Sequence, residues 1–273
     1  MQKLIVVCGP TATGKSDYAV KLAHEINGEI ISADSRQVYI GLDIGSGKIT
    51  MSEMEGVPHH LLDVADPKHP FSVVEYKALA DKALQDIIAR GKTPIIVGGT
   101  GFYIDAIICD TIFPAVPPNH ALRKELHDKP IEELQAQLHA LDPRRYDLVD
   151  KQNRPRLVRA IEIATVLGSV PELQKTTQYD VEWIYLDFPD EILKERIHTR
   201  LINRLEGGMV EEVAKLHEDG LSWDRLESFG LEYRYIAEML QDKHDKAEMI
   251  SMLEGAIWQY VKRQRTWFKK YGK

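Results

Sequence analysis

Leu4-Ile5-Val6-Val7-Cys8-Gly9-Pro10-Thr11-Ala12-Thr13-Gly14-Lys15-Ser16 is the stretch that decides the fold. Its apolar start, rich in β-branched residues, reads as a buried strand. The strand runs directly into Gly-x-x-x-x-Gly-Lys-Ser, and Asp17 to Ile26 then carries apolar residues at three- and four-residue spacing, a helix that stops at Gly28. Strand, glycine loop and helix in that order turn the motif from a string match into a phosphate-binding P-loop. Gly9 and Gly14 permit the backbone to aim successive N–H groups at phosphate oxygens, and the helix N-terminus adds its dipole. Lys15 supplies a point charge for a terminal phosphate and Ser16 a hydroxyl for Mg²⁺. Pro10, Thr11, Ala12 and Thr13 complete the loop.

Working outward, Glu29 to Ala33 and Thr93 to Val97 are further short apolar runs, separated by a helical pattern over Ser72 to Arg90 with Gly91 as its stop. A fourth run, Trp183 to Asp187, comes much later. Repeated β-α alternation predicts an α/β fold, a P-loop NTPase-like parallel sheet flanked by helices. From Pro114 to about Tyr179 the strand signal is lost, and Pro117, Pro118, Pro130, Pro143 and Pro155 punctuate short helical stretches. This predicts a core of residues 1–114 and 180–273 with an inserted, mostly helical lobe at 115–179. From Glu191 onward the pattern is almost continuously helical, ending in Gln259 to Lys270.

Composition narrows the class. Apolar residues at 44% and charged residues at 28% leave enough material for a core and exclude global disorder. A net charge of -7 argues against a general nucleic-acid coat, so local basic stripes stand out. There are two: Arg144, Arg145, Lys151, Arg154, Arg156 and Arg159 in the lobe, and Lys262, Arg263, Arg265, Lys269 and Lys270 near the end, with Trp267 and Phe268 interleaved. Such stripes suit RNA but also occur as solvated helix faces. Cys8 and Cys109 form no disulfide or zinc pattern, which fits a reducing cytoplasm. No apolar run approaches the ~20 residues that span a bilayer, so no membrane association is expected.

Asp34 follows the second strand, at the sheet edge where α/β sites open. It could hold Mg²⁺ through water, or act as a general base toward an acceptor nucleophile. The third run ends in Val97-Gly98-Gly99-Thr100-Gly101 without a carboxylate, which weakens an NTPase reading, and Thr100 offers a hydroxyl to the cleft. Arg196, Arg200 and Arg204 are spaced by four on a helix, compatible with a phosphate lid or with pairing to Glu191 and Glu195. His59-His60 could suggest a metal pair, but adjacent strand residues face opposite ways.

Taken together the sequence closely resembles the tRNA dimethylallyltransferase family. The resemblance rests on residues 9 to 16, Ile31 to Tyr39, Gly41 to Gly45, Gly56 to Leu61, Val97 to Ile104, Arg159 to Glu162 and Lys262 to Phe268. It implies that Asp34 is the base that engages an adenosine amine, that Thr100 binds at the reacting diphosphate, and that Lys15 is catalytic there. Residues 9 to 16 with the lid arginines Arg196 and Arg200 would hold the diphosphate. Asp34, Ser35, Arg36, Gln37, Arg123, Pro155, Arg156, Leu157, Val158 and Arg159 fall where the family contacts tRNA, and Lys262, Arg263 and Arg265 extend that surface. Two segments depart from the family pattern: Asn153-Arg154, and Ser228 to Tyr233 in place of Ala-Ile-Gly-Tyr.

The implied reaction moves a dimethylallyl group from dimethylallyl diphosphate to the N6 amine of the adenosine 3′ of the anticodon, with Mg²⁺ as cofactor and the tRNA anticodon stem-loop as partner. No obligate protein partner is indicated. The N6 lone pair is delocalised, so the amine needs a carboxylate to take its proton. The departing diphosphate needs positive charge to meet it. A small-molecule P-loop kinase, with Lys15 and Arg200 clamping ATP and Asp34 activating a hydroxyl, is the alternative for the same cleft.

Overall fold

The computed structural model describes residues 2–173 and 179–272. Strands β1 (Gln2–Cys8), β2 (Gly28–Ser32), β3 (His59–His60), β4 (Thr93–Gly98) and β5 (Tyr179–Tyr185) form one sheet in the order β3-β2-β4-β1-β5, every neighbouring pair parallel. The helices in chain order are α1 (Lys15–Ile26), α2 (Val73–Ala89), α3 (Gly101–Ile108), α4 (His120–His127), α5 (Ile131–Leu141), α6 (Pro143–Leu148), α7 (Arg154–Leu167), α8 (Asp190–Glu206), α9 (Met209–Glu218), α10 (Trp223–Ser228), α11 (Leu231–Leu240) and α12 (Lys246–Phe268).

β1 is apolar throughout because both its faces are covered. Leu4, Val6 and Cys8 join one core with Ile31, Ile96 and the inner faces of α2, α3, α8 and α12, while Ile5 and Val7 join a second with Ile95, Val97 and Val20 and Ala23 of α1. Since all strands run the same way, Cys8, Ser32, Gly98 and Tyr185 end on one edge, and the loops that follow them open there.

The chain divides into two compact units, Met1–Asp110 with Thr177–Lys273 and Thr111–Thr176. Both boundaries fall within a few residues of the expected 114/115 and 179/180. The second unit contains α4 to α7 around its own core of Leu126, Leu134, Leu138, Leu157 and Ile161.

Local differences from the sequence reading have physical reasons. α1 starts at Lys15 rather than Asp17, so Lys15 and Ser16 belong to the first turn, whose N–H groups have no helical acceptor. β5 starts at Tyr179 instead of Trp183, because this edge strand exposes Asp180 and Glu182 and therefore does not read as continuously apolar.

Candidate active site

The loop between β1 and α1 is shaped by two glycines. Gly9 has φ 141°, and a Cβ there would lie 2.0 Å from the Leu186 carbonyl oxygen, while Gly14 has φ 77° at the helix N-cap. Inside the loop Thr13 Oγ1 donates to the Pro10 carbonyl at 2.9 Å and Lys15 Nζ donates to the same oxygen at 2.5 Å. Burial, reinforced by the nearby Arg200 charge, lowers the Lys15 ammonium to about 8.

Asp34 sits beyond the end of β2. Its Oδ1 accepts the N–H groups of Arg36 at 2.8 Å and Gln37 at 3.3 Å, a local turn that fixes the carboxylate plane. Thr100 accepts the Ser35 N–H at 3.1 Å through Oγ1 and donates its own N–H to Ala33 at 3.1 Å. Gly98 permits this approach, since a Cβ there would lie 2.2 Å from the Ala33 oxygen. Tyr260 of α12 is pushed up to about 12 by burial, the Thr100 hydroxyl partly opposing the shift. Lys15, Ser16, Asp34, Arg196, Arg200 and Tyr260 all line one cavity of about 600 Å³.

α8 brings the arginine ladder to that cavity. Arg200 is lowered to about 10 by burial and by its neighbour Arg204, and remains charged at neutral pH. Arg196 lies 4.0 Å over the Phe188 ring. Neither Arg196 nor Arg200 pairs with Glu191 or Glu195 among the described residues, and both line the cavity. Arg204 is held by the Glu232 carboxylate and the Gly45 carbonyl, each at 3.4 Å.

Opposite α8, residues 43–47 form a wall organised by Glu212. Its carboxylate accepts N–H groups from Asp43 at 3.0 Å, Ile44 at 2.6 Å and Gly45 at 3.0 Å, and the Tyr233 hydroxyl at 2.8 Å. Tyr233 in turn accepts the Ser46 N–H at 3.2 Å. Gln37 donates to the Gly47 carbonyl at 3.1 Å, joining this wall to the Asp34 turn. A Cβ at Gly47, whose φ is 60°, would fall 1.4 Å from Arg204 Nη2 and 2.3 Å from Arg200 Nη2, so a side chain there would displace both guanidinium ends. Sequence reading missed Glu212 and Tyr233 as site residues, and placed Arg204 in the lid ladder without a partner. The departing segment at 228–233 is the signal that could have found two of their contacts, since it carries Glu232 and Tyr233.

The phosphate loop and the Asp34 carboxylate thus share one sheet edge. The family model described as IPP transferase matches residues 37–271. The chain belongs to the IPP transferase family. It is 45% identical to tRNA dimethylallyltransferase 2 of Treponema denticola, covering 98% of this chain and 92% of that protein. It is 44% identical to tRNA dimethylallyltransferase 2 of Citrifermentans bemidjiense, over 98% and 86%. Among solved structures it is similar to a tRNA isopentenylpyrophosphate transferase from Bacillus halodurans, with TM-score 0.74, 36% identity and coverage of 98% of this chain and 87% of that one. A eukaryotic dimethylallyltransferase acting on tRNA matches with TM-score 0.85 at 26% identity, over 98% and 70%.

In this IPP transferase family member several residues expected to contact RNA are committed elsewhere. Arg123 makes a two-pronged pair with Glu162 at 2.7 and 2.8 Å, and Arg159 bonds Glu162 at 3.2 Å and the Val116 carbonyl at 2.8 Å. Arg154 caps the carbonyls of Leu126, His127 and Lys129. Leu157 is fully buried in the lobe core, so its side chain is packing. Val158 is half-buried, and Pro155 and Arg156 are exposed. On α12, Arg265 is consumed by Asp187 at 2.8 Å, Asp190 at 2.6 Å and the Phe188 carbonyl at 2.8 Å, and Lys270 by Asp105. Lys262 and Arg263 remain exposed. His59 lines the cavity while His60 bonds Glu29 at 2.8 Å, facing apart as adjacent strand residues do.

Proposed function

We propose that the protein transfers a dimethylallyl group from dimethylallyl diphosphate to the N6 amine of the adenosine 3′-adjacent to the anticodon in tRNA, releasing diphosphate. One observation carries the mechanism: Asp34 has one oxygen held by two backbone N–H groups and no donor on the other among the described residues, in the cavity that also holds Lys15 and Arg200.

The N6 lone pair attacks the allylic carbon as its bond to the diphosphate oxygen breaks. The bonding pair leaves with the diphosphate, and Asp34 takes the N6 proton through its open oxygen. The loop N–H groups, Lys15 and Arg200 are fixed before reaction and meet the departing charge, the usual source of the largest catalytic term. The adenosine must leave its stack to reach this edge, and the exposed cations Arg156, Lys262 and Arg263 supply backbone contacts for the RNA.

Ser16 fits Mg²⁺: its hydroxyl lines the cavity and makes no hydrogen bond to another described residue, and Mg²⁺ is commonly held through substrate phosphates with few protein ligands. When bound, the ion adds charge against the leaving diphosphate. The cytoplasm, where tRNA is processed, is the place of action. Among the described residues no helix is long and apolar enough to cross a membrane.

Incubating the protein with anticodon stem-loop RNA, Mg²⁺ and dimethylallyl diphosphate should add the mass of a dimethylallyl group to adenosine. Release of ADP from ATP with a metabolite acceptor, and no RNA product, would return the site to the kinase reading. Asp34→Asn keeps the turn acceptor but removes the base, so kcat should drop about 10²–10⁴-fold with an unchanged melting temperature.

A further inference from the structure

α8 carries one cation that the donor reading leaves without a task. Arg204 follows Arg200 by one turn, its side chain is only 15% exposed, and it lines the same cavity as Lys15 and Arg200. Its Nη1 donates to the Gly45 carbonyl and to the Glu232 carboxylate, both at 3.4 Å, which is long for a charge-assisted bond. Its Nη2 is buried and has no hydrogen-bond partner among the described residues. A guanidinium nitrogen in that state has lost its water and gained nothing in exchange, so a partner is wanting.

The surroundings say what kind of partner. A Cβ built on Gly47 would lie within 2.3 Å of the Nη2 atoms of both Arg200 and Arg204, so two like charges converge on one point of the cavity wall. Glu232 is the one carboxylate paired with either of them among the described residues, and it offsets only one of the two charges. The excess is positive, in a place poorly screened by water, and an anion would relieve it. The phosphate loop is within reach, since Thr11 and Ala12 line a small recess together with Arg200, Arg204 and Glu232. Glu232 and the Gly45 carbonyl also hold the Arg204 side chain in place beforehand, which lowers the ordering cost of binding. Glu232 belongs to the segment 228–233 that departs from the family pattern.

We infer that Arg204 is a third donor-binding arginine of this cavity, held by Glu232 and the Gly45 carbonyl so that its guanidinium meets the diphosphate beside that of Arg200. The inference rests on the donor reading above, and binding is measured without the transfer reaction. Isothermal titration of the full-length protein with Mg-pyrophosphate should show Arg204→Gln binding about 10- to 100-fold more weakly than the native chain. That variant alone leaves Glu232 uncompensated, so the deciding one is Arg204→Gln with Glu232→Gln, which removes both charges. It should stay about tenfold or more weaker, with KM raised for dimethylallyl diphosphate and unchanged for tRNA. If Arg204 served only as counter-ion to Glu232, the double variant would bind as the native chain does, and that result overturns the inference. A rise in both KM values would mark a distorted cavity and overturn it too. Should the double variant fail to fold, Arg204→Lys decides: it still neutralises Glu232 but has no second nitrogen for the ligand, so native affinity there overturns the inference and a severalfold loss supports it. If the native protein binds no Mg-pyrophosphate, the donor reading itself falls.

Discussion

Ser35 donates its N–H to Thr100 Oγ1 at 3.1 Å, which ties the residue beside Asp34 to the end of β4. Thr100, which is not itself among the residues lining the cavity, therefore holds the turn that carries Asp34 in place. Thr100→Ala leaves a part-buried donor unpaired, at a cost of about 1–3 kcal/mol. If that loss is felt at the reacting carbon, kcat falls about 10- to 100-fold. Thr100→Ser retains the hydroxyl and should recover most of the rate in the same steady-state assay.

The Lys15 ammonium, lowered to about 8 chiefly by burial, makes donor capture pH-dependent. Its charged form binds diphosphate, so kcat/KM for the donor should be flat below that value and fall about tenfold per pH unit above it. A bound diphosphate favours the charged form. The profile of kcat at saturating donor should therefore decline at a higher pH than that of kcat/KM. Coincident profiles would assign the titration to another group.

The C-terminal stripe separates by partner. Lys262→Glu and Arg263→Glu alter exposed charges, so each should raise KM for tRNA and flatten its salt dependence by about one charge, with the melting temperature unchanged. Arg265→Ala instead strips the partner from Asp187 and Asp190 and should lower the melting temperature. A variant of Arg265 that affects only tRNA affinity would restore it to the RNA surface.

Glu29 of β2 is 1% exposed and is met by Arg90, Lys92 and His60, which hold its carboxyl well below the usual carboxylate range. A depressed carboxyl contributes stability that is present above the unfolded value near pH 4 and is lost as the pH falls through the acid range. Glu29→Gln leaves cations facing a neutral group and should cost about 3 kcal/mol by urea denaturation at pH 7. The difference from the native protein should shrink toward pH 3.

The central strands and the P-loop were legible in the sequence because double-sided burial leaves an unbroken apolar run, and because the loop's geometry demands glycine at fixed positions. β3 was not legible, since His59 and His60 are two polar residues on the sheet edge and too short for any period. α3 was not read as an element; only its first residue, Gly101, was noted, in the glycine-rich end of the third run. The helix is buried nearly all round, from Tyr103 through Ile108, and so has no polar face to reveal a helical repeat. Charge spacing does not disclose the carboxylate partners that Arg123, Arg159 and Arg265 find in the fold: Glu162 for the first two, Asp187 for the third. Gln264 lay inside the Lys262 to Phe268 block of the resemblance, but its contacts with Thr11 and Gly99 exist only once α12 has packed.

Thr11 and Gln264 are 253 residues apart along the chain and touch. A ribosome delivers the phosphate loop first and the helix that completes it much later. Until residue 264 has left the exit tunnel, the cavity lacks the wall that Tyr260 and Gln264 provide, so a half-made chain has a phosphate loop without a finished donor pocket. Catalytic competence thus waits for the helix that also bears Lys262 and Arg263 to fold onto the loop.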